Sequence, residues 1–148
     1  MLKFKVIWDL RWVGMDIPVS KVFSESEVCG VLRVSKKPLS FLGDVDVDKA
    51  EVKGLGSIGG VILAVHAFVG STVGPYVLFS LMKRGSLPKA LITTAVDPTI
   101  LAGCVLTGLP LYKVNPKDLE LLIKYDGCNV CLQGGKLTIL DSAGECLE

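Results

Sequence analysis

From Gly54 to Met82 the chain carries no Asp, Glu, Lys or Arg, and a second stretch, Ala90 to Tyr112, is interrupted only by Asp97. About 20 apolar residues span a bilayer, so this pattern admits either a membrane hairpin or the buried centre of a domain. The punctuation decides between them. The first stretch holds Gly54, Gly56, Gly59, Gly60, Gly70 and Gly74, together with Ser57, Ser71, Thr72 and Pro75. Its continuous apolar part, Val61 to Val69, is short and includes His66. The second stretch carries Asp97-Pro98 near its centre, where a charge costs a few kcal/mol in a membrane. No membrane partner is expected. The runs read as buried strands and helices, in a chain of 148 residues with mean hydropathy +0.53. That length suits one domain with a sizeable core.

Lys and Arg total 16 against 15 for Asp and Glu, a net charge of +1. A nucleic-acid binder usually carries a concentrated basic patch, so no nucleic acid is expected as a partner. The N-terminus has Asp9 and Arg11 where a signal peptide needs its apolar run, which points to a cytoplasmic protein. Five cysteines, an odd number in apolar surroundings, read as reduced thiols and not as a disulfide framework.

Residues 1–16, with Trp8 and Trp12, form no periodic element and read as an N-terminal extension, leaving a single domain over 17–148. Glu27 to Val34 alternates as a strand. Gly43 to Asp48 is an acidic, turn-rich loop without the glycine and glutamate spacing of a calcium loop. Gly60 to Val65 reads as a buried strand, followed by a helix from about Pro75 that Gly85 stops. Ala90 to Thr94 is a second buried strand. Asp97-Pro98 caps and opens a second helix, ending by Gly103 or Gly108. Leu109 to Val114 is a third strand, and Asn115-Pro116 is a turn. Cys128–Leu132 and Lys136–Leu140 form a hairpin around Gln133-Gly134-Gly135. This order predicts an α+β domain, a compact barrel-like mixed sheet flanked by helices.

The strongest chemical candidate is Gly70-Ser71-Thr72-Val73-Gly74, between a buried strand and a helix N-terminus. Glycines let the backbone approach a ligand, and amides at a helix start attract anions. Gly70, Thr72 and Gly74 are therefore candidate substrate-binding positions. Ser71 either acts on a proton with help from the positive end of the dipole, or binds an anion, or caps the helix. Cys128 and Cys131 lack the further ligands of a zinc site and point to opposite faces of a strand. No metal ligand is assigned. His66, the only histidine, reads as packed or partly exposed.

Three blocks carry a resemblance. Pro38-Leu39-Ser40-Phe41-Leu42-Gly43-Asp44-Val45-Asp46 resembles the "PLSF.GGVD" segment of the aconitase X swivel-domain family. Gly56-Ser57-Ile58-Gly59-Gly60-Val61-Ile62-Leu63 resembles its "G.SI.GKVL" segment, and Gly70 to Val77 resembles the "GSTVGSYV" loop of its archaeal branch. The resemblance runs over about residues 20 to 140. It implies a swivelling β/β/α domain, similar to the mobile domain of aconitase, that works as the small subunit of a heteromeric hydro-lyase. The implied partner is a large subunit holding a [4Fe-4S] cluster. The implied substrate is a phosphorylated hydroxy acid, (R)-5-phosphomevalonate, dehydrated to trans-anhydromevalonate 5-phosphate in an archaeal mevalonate (isoprenoid) pathway, with Ser71 as proton acceptor. Two alternatives stand beside it. One is the small subunit of a hydroxyproline dehydratase, whose usual "GRGSCTGS" loop has an arginine and a second cysteine that this chain lacks. The other is a non-catalytic anion-binding or adaptor domain.

Overall fold

The computed structural model describes residues 15–69, 72–141 and 146. It begins with one extended run that serves two places in the fold: β1 (Met15–Pro18) and β2 (Ser20–Phe23), separated only by Val19. β1 lies antiparallel on the last strand, while β2 lies antiparallel on Leu111–Lys113. Met15 and Asp16 are thus part of the domain, whereas the sequence drew its boundary at residue 17. The Asp16 carboxylate accepts a hydrogen bond from Thr138 Oγ1 at 2.7 Å, and Lys136 Nζ stands 3.6 Å away.

β3 (Val28–Ser35) leads into a single helical turn, α1 (Phe41–Asp44). Ser40 caps that turn by accepting from Gly43 N, and its own N–H donates to Asp44 Oδ2 at 2.8 Å. The stretch that the sequence presents as an acidic loop is organised further. β4 (Val45–Asp46), β5 (Glu51–Val52) and β6 (Gly56–Ser57) form a small antiparallel sheet. Its burial of Ala50, Val52 and Ile58 explains why a polar segment takes up strand structure.

Then come β7 (Ile62–Val65), α2 (Gly74–Lys83), β8 (Ala90–Thr93), α3 (Pro98–Thr107) and β9 (Leu111–Lys113). β7 and β8 are buried at every position. Strands covered on both faces read as continuous apolar runs, and these two account for much of the charge-free sequence. α2 ends at Gly85, whose φ of 70° lets Ser86 N reach Leu81 O at 2.9 Å. α3 is capped by Asp97, which accepts from Thr99 N at 2.7 Å, and it continues through Gly103 to stop at the left-handed Gly108. Asn115-Pro116 is more than a turn. Asn115 accepts from Lys117 N and opens α4 (Pro116–Ile123), repeating the cap-plus-proline device of α3.

β10 (Asn129–Gln133) and β11 (Lys136–Ile139) close the chain as a hairpin. Positive φ at both Gly134 and Gly135 gives the tight turn a two-residue hairpin requires. The large sheet has the order β1-β11-β10-β3-β7-β8-β9-β2. β3, β7, β8 and β9 are parallel, and the remaining pairs are antiparallel. Because β1 and β2 are consecutive, and Val19 N donates to Gly135 O at 3.0 Å, the mixed sheet curls into a nearly closed barrel. The α+β, barrel-like architecture is the one expected.

Alternation along the strands makes two cores. Ile62, Ala64, Ala90, Ile92, Val130 and Leu132 face the barrel interior, where Leu119 and Leu122 of α4 join them. Leu63, Val65 and Leu91 face outward into a second core with Leu78, Leu81, Ile100 and Cys104 of α2 and α3.

The cysteines correct the sequence reading. Cys29 and Cys131 are directly opposed in the β3–β10 ladder, with Cα atoms 4.0 Å apart, and form a disulfide. Cys128 is joined to Cys146, so Cys104 is the one free thiol. The pairing is set by strand register between residues distant in sequence, which composition cannot report. Burial pushes the Cys104 thiol up to about 12 and keeps it neutral.

Candidate active site

The parallel strands β3, β7, β8 and β9 all present their carboxyl ends to one side of the barrel, the side on which parallel sheets bind ligands. β3 and β7 remain linked beyond their last ladder residues. Leu39 N donates to Ala67 O at 2.9 Å, and Val69 N donates to Leu39 O at 2.8 Å. Phe41 stacks on Phe68 with ring centroids 5.3 Å apart. The chain is therefore held in place up to Val69, immediately before the glycine-flanked loop.

On the far side of the loop, α2 begins at Gly74 with Pro75 in its first turn. Gly74 is buried, and a Cβ there would stand 3.0 Å from Ile100 Cδ1 and 3.6 Å from Phe41 Cδ2. Packing against α3 and α1 accounts for a glycine at this position on steric grounds. Thr72 is exposed. The N-cap position falls on Val73, whose side chain makes no capping hydrogen bond, so Thr72 does not occupy the cap. Gly70 and Ser71 lie outside the described residues. What is fixed is the frame: a strand exit clamped up to Val69, two residues before Ser71 in the sequence, and a helix N-terminus at Gly74, three residues after it.

His66 stands at the exit of β7 and is exposed. The Thr94 hydroxyl donates to the His66 carbonyl at 2.6 Å and lies 3.3 Å from His66 Nδ1. With its hydrogen committed to the carbonyl, Thr94 Oγ1 can only accept from Nδ1–H. In a neutral ring this arrangement places the acceptor at Nε2. Sequence alone had no reason to single out Thr94, since the pairing depends on β7 and β8 being neighbours.

Apolar side chains surround the frame. Val69 and Tyr76 flank the loop in sequence, Leu42 lies on α1, and Phe79 lies one turn beyond Tyr76 on α2; Tyr76 and Leu42 are 73% and 70% exposed. Beside the β3 exit opens a cleft of about 360 Å³ lined by Arg33, Lys36, Lys37 and Lys53, with Asp44 and Asp126 on its walls. Arg33 and Lys53 belong to segments the sequence did not connect.

A barrel of this topology, with a glycine-flanked loop at the carboxyl end of its parallel strands, defines a swivel-type domain. The chain belongs to the aconitase X swivel-domain family, whose model matches residues 18–139. Its relatives include the phosphomevalonate dehydratase small subunit of Pyrococcus horikoshii, 37% identical over 130 residues, covering 74% of this chain and 93% of that one. The protein of the same description from Methanothermobacter thermautotrophicus is 35% identical over 110 residues, covering 70% and 84%. Among solved structures, Thermococcus kodakaraensis aconitase X in its holo form superposes with a TM-score of 0.75 at 30% identity, over 86% of this chain and all of that one. A UPF0107 protein solved by solution NMR superposes with a TM-score of 0.72 at 27% identity, over 90% of this chain and all of that one.

Proposed function

We propose that this chain is the small subunit of a hydro-lyase that, joined to a large subunit, removes water from (R)-5-phosphomevalonate to give trans-anhydromevalonate 5-phosphate. The observation that carries this reading is the run of identity to phosphomevalonate dehydratase small subunits across most of both chains. The glycine-flanked loop lies within the matched domain, between β7 and α2.

Dehydration of a β-hydroxy acid needs a base at the carbon next to the carboxylate and assistance to the departing hydroxide. In this proposal Ser71 takes the proton. A serine does so only as its alkoxide, and the positive end of α2, three residues further on, favours that anion once partner and substrate exclude water. Thr72 and Gly70 supply polar and backbone contacts to the substrate. An iron–sulfur cluster is part of the proposal, but the residues of this chain do not fit one. Among the described residues no group of three or more His, Cys, Asp or Glu could hold a metal, and four of the five cysteines are paired. The cluster is assigned to the large subunit.

The exposed apolar surface around Val69, Tyr76, Phe79 and Leu42 is the face we assign to that partner. No helix among the described residues is long and apolar enough to cross a membrane, and we place the complex in the cytoplasm.

The test is reconstitution with the large subunit under anaerobic conditions. The chain alone should be inactive and the complex active on phosphomevalonate. Ser71→Ala should lower kcat by roughly 10²–10⁴-fold, the usual contribution of a positioned base. A fully active Ser71→Ala complex overturns the assignment of the base.

A further inference from the structure

We infer that the cleft between the exit of β3 and the β5–β6 turn seats the phosphate group of the substrate. The inference rests on the proposed reaction and specifies where the far end of its substrate is held.

Six ionisable side chains line the cleft: Arg33, Lys36, Lys37, Lys53, Asp44 and Asp126. Of the two carboxylates, only Asp126 is paired with a cation among the described residues. Asp126 Oδ1 accepts from Arg33 Nε and from Val34 N, each at 3.0 Å. Asp44 Oδ2 accepts from Ser40 N at 2.8 Å. Lys36, Lys37 and Lys53 are exposed, and among the described residues none has a carboxylate within ion-pair distance. Three ammonium groups thus line one opening against a single carboxylate that no cation among the described residues pairs, Asp44, which leaves the cleft with a net positive charge. Clustered cations repel one another, so the arrangement favours a multiply charged anion between them. A terminal phosphate dianion suits it, because lysine binds phosphate as a flexible point charge. At Gly54, φ is +81° and an added Cβ would meet nothing within 4 Å, so the turn presents bare backbone to the cleft.

Lys36 and Lys37 leave the carboxyl end of β3, next to the exit of β7 that leads to Ser71. The two exits are tied by the Leu39–Phe68 bridge, and neighbouring strands lie about 5 Å apart. The cleft is therefore on the ligand-binding side of the barrel, beside the loop and not within it. A phosphate held there is remote from the reacting carbon, and its binding energy fixes the substrate against the base. No covalent step occurs in the cleft.

The experiment uses Lys36→Gln/Lys37→Gln/Lys53→Gln, three exposed positions whose change leaves the packed core untouched. In the reconstituted complex the variant should lose at least about tenfold in kcat/KM on phosphomevalonate, with the loss appearing in KM, as removal of ground-state binding requires. In parallel, the full-length chain is titrated with inorganic phosphate and followed by amide NMR. Saturable shifts are expected at residues 33–37 and 53–54, and their loss in the triple variant. An unchanged KM, or phosphate shifts confined to other residues, overturns the inference while an active wild-type complex leaves the proposed reaction standing. A wild-type complex inert on phosphomevalonate, with phosphate still saturating the cleft amides, overturns the reaction and supports an anion site. Neither activity nor shifts overturns both.

Discussion

At Gly103 an added Cβ would stand 2.8 Å from Leu78 Cδ1 and 3.0 Å from the Pro75 Cα. The leucine tip can move, but the Pro75 backbone cannot do so without shifting the start of α2 and the end of the loop before it. Gly103→Ala gains about 1 kcal/mol of helix propensity. It also incurs an overpacking cost of about 1–3 kcal/mol. The expected outcome is a loss of up to about 2 kcal/mol in urea unfolding, accompanied by reduced turnover of the reconstituted complex. An unaffected turnover would show that the helix crossing does not set the loop. Two glycines in the same helix region carry different meanings. The sequence reading could not choose between Gly103 and Gly108 as the stop, because only the neighbouring helix reveals that Gly103 is a contact and only its left-handed backbone makes Gly108 the end.

The elements with local signals were readable from the chain. Asp97-Pro98 with Gly108, Pro75 with Gly85, and the Gly134-Gly135 turn each combine a start or stop residue with backbone geometry that few residues adopt. α4 carries the same start signal but is short, and its buried residues are only Leu119 and Leu122. Leu119 and Leu122 stand at helical spacing, but a segment this short is marginal by itself and takes its stability from packing into the inner core. Asn115→Ala removes the cap and should cost about 1 kcal/mol, read as a lower urea midpoint with an unchanged slope. Activity of the complex should be retained, since α4 contributes to the inner core and not to the loop frame. β1 and β2 were missed for a related reason. Each is four residues long, and only the ladders to β11 and β9 give them identity. The loop before α2 was legible because glycines and a proline mark it. The lysine cleft was not, because α1, β4 and β5 separate Lys37 from Lys53 in the sequence and only the small sheet brings them together.

For the whole molecule, the charge-free stretches resolve into strands covered on both faces, two helices and an exposed apolar face beside the loop. The run from Met15 to Phe23 has a consequence of a different kind. It laces the barrel shut, covering the outer edge of β11 with its first half and that of β9 with its second. Deleting residues 15–23 would bare two rows of unsatisfied backbone donors and acceptors at once, each a template for strand addition from another molecule. The shortened chain should therefore form concentration-dependent oligomers in light scattering, where the full chain does not; a monomeric, folded product would refute this. A nine-residue ribbon with only two buried apolar anchors, Ile17 and Val19, thus guards the domain against aggregation more than it adds to its core.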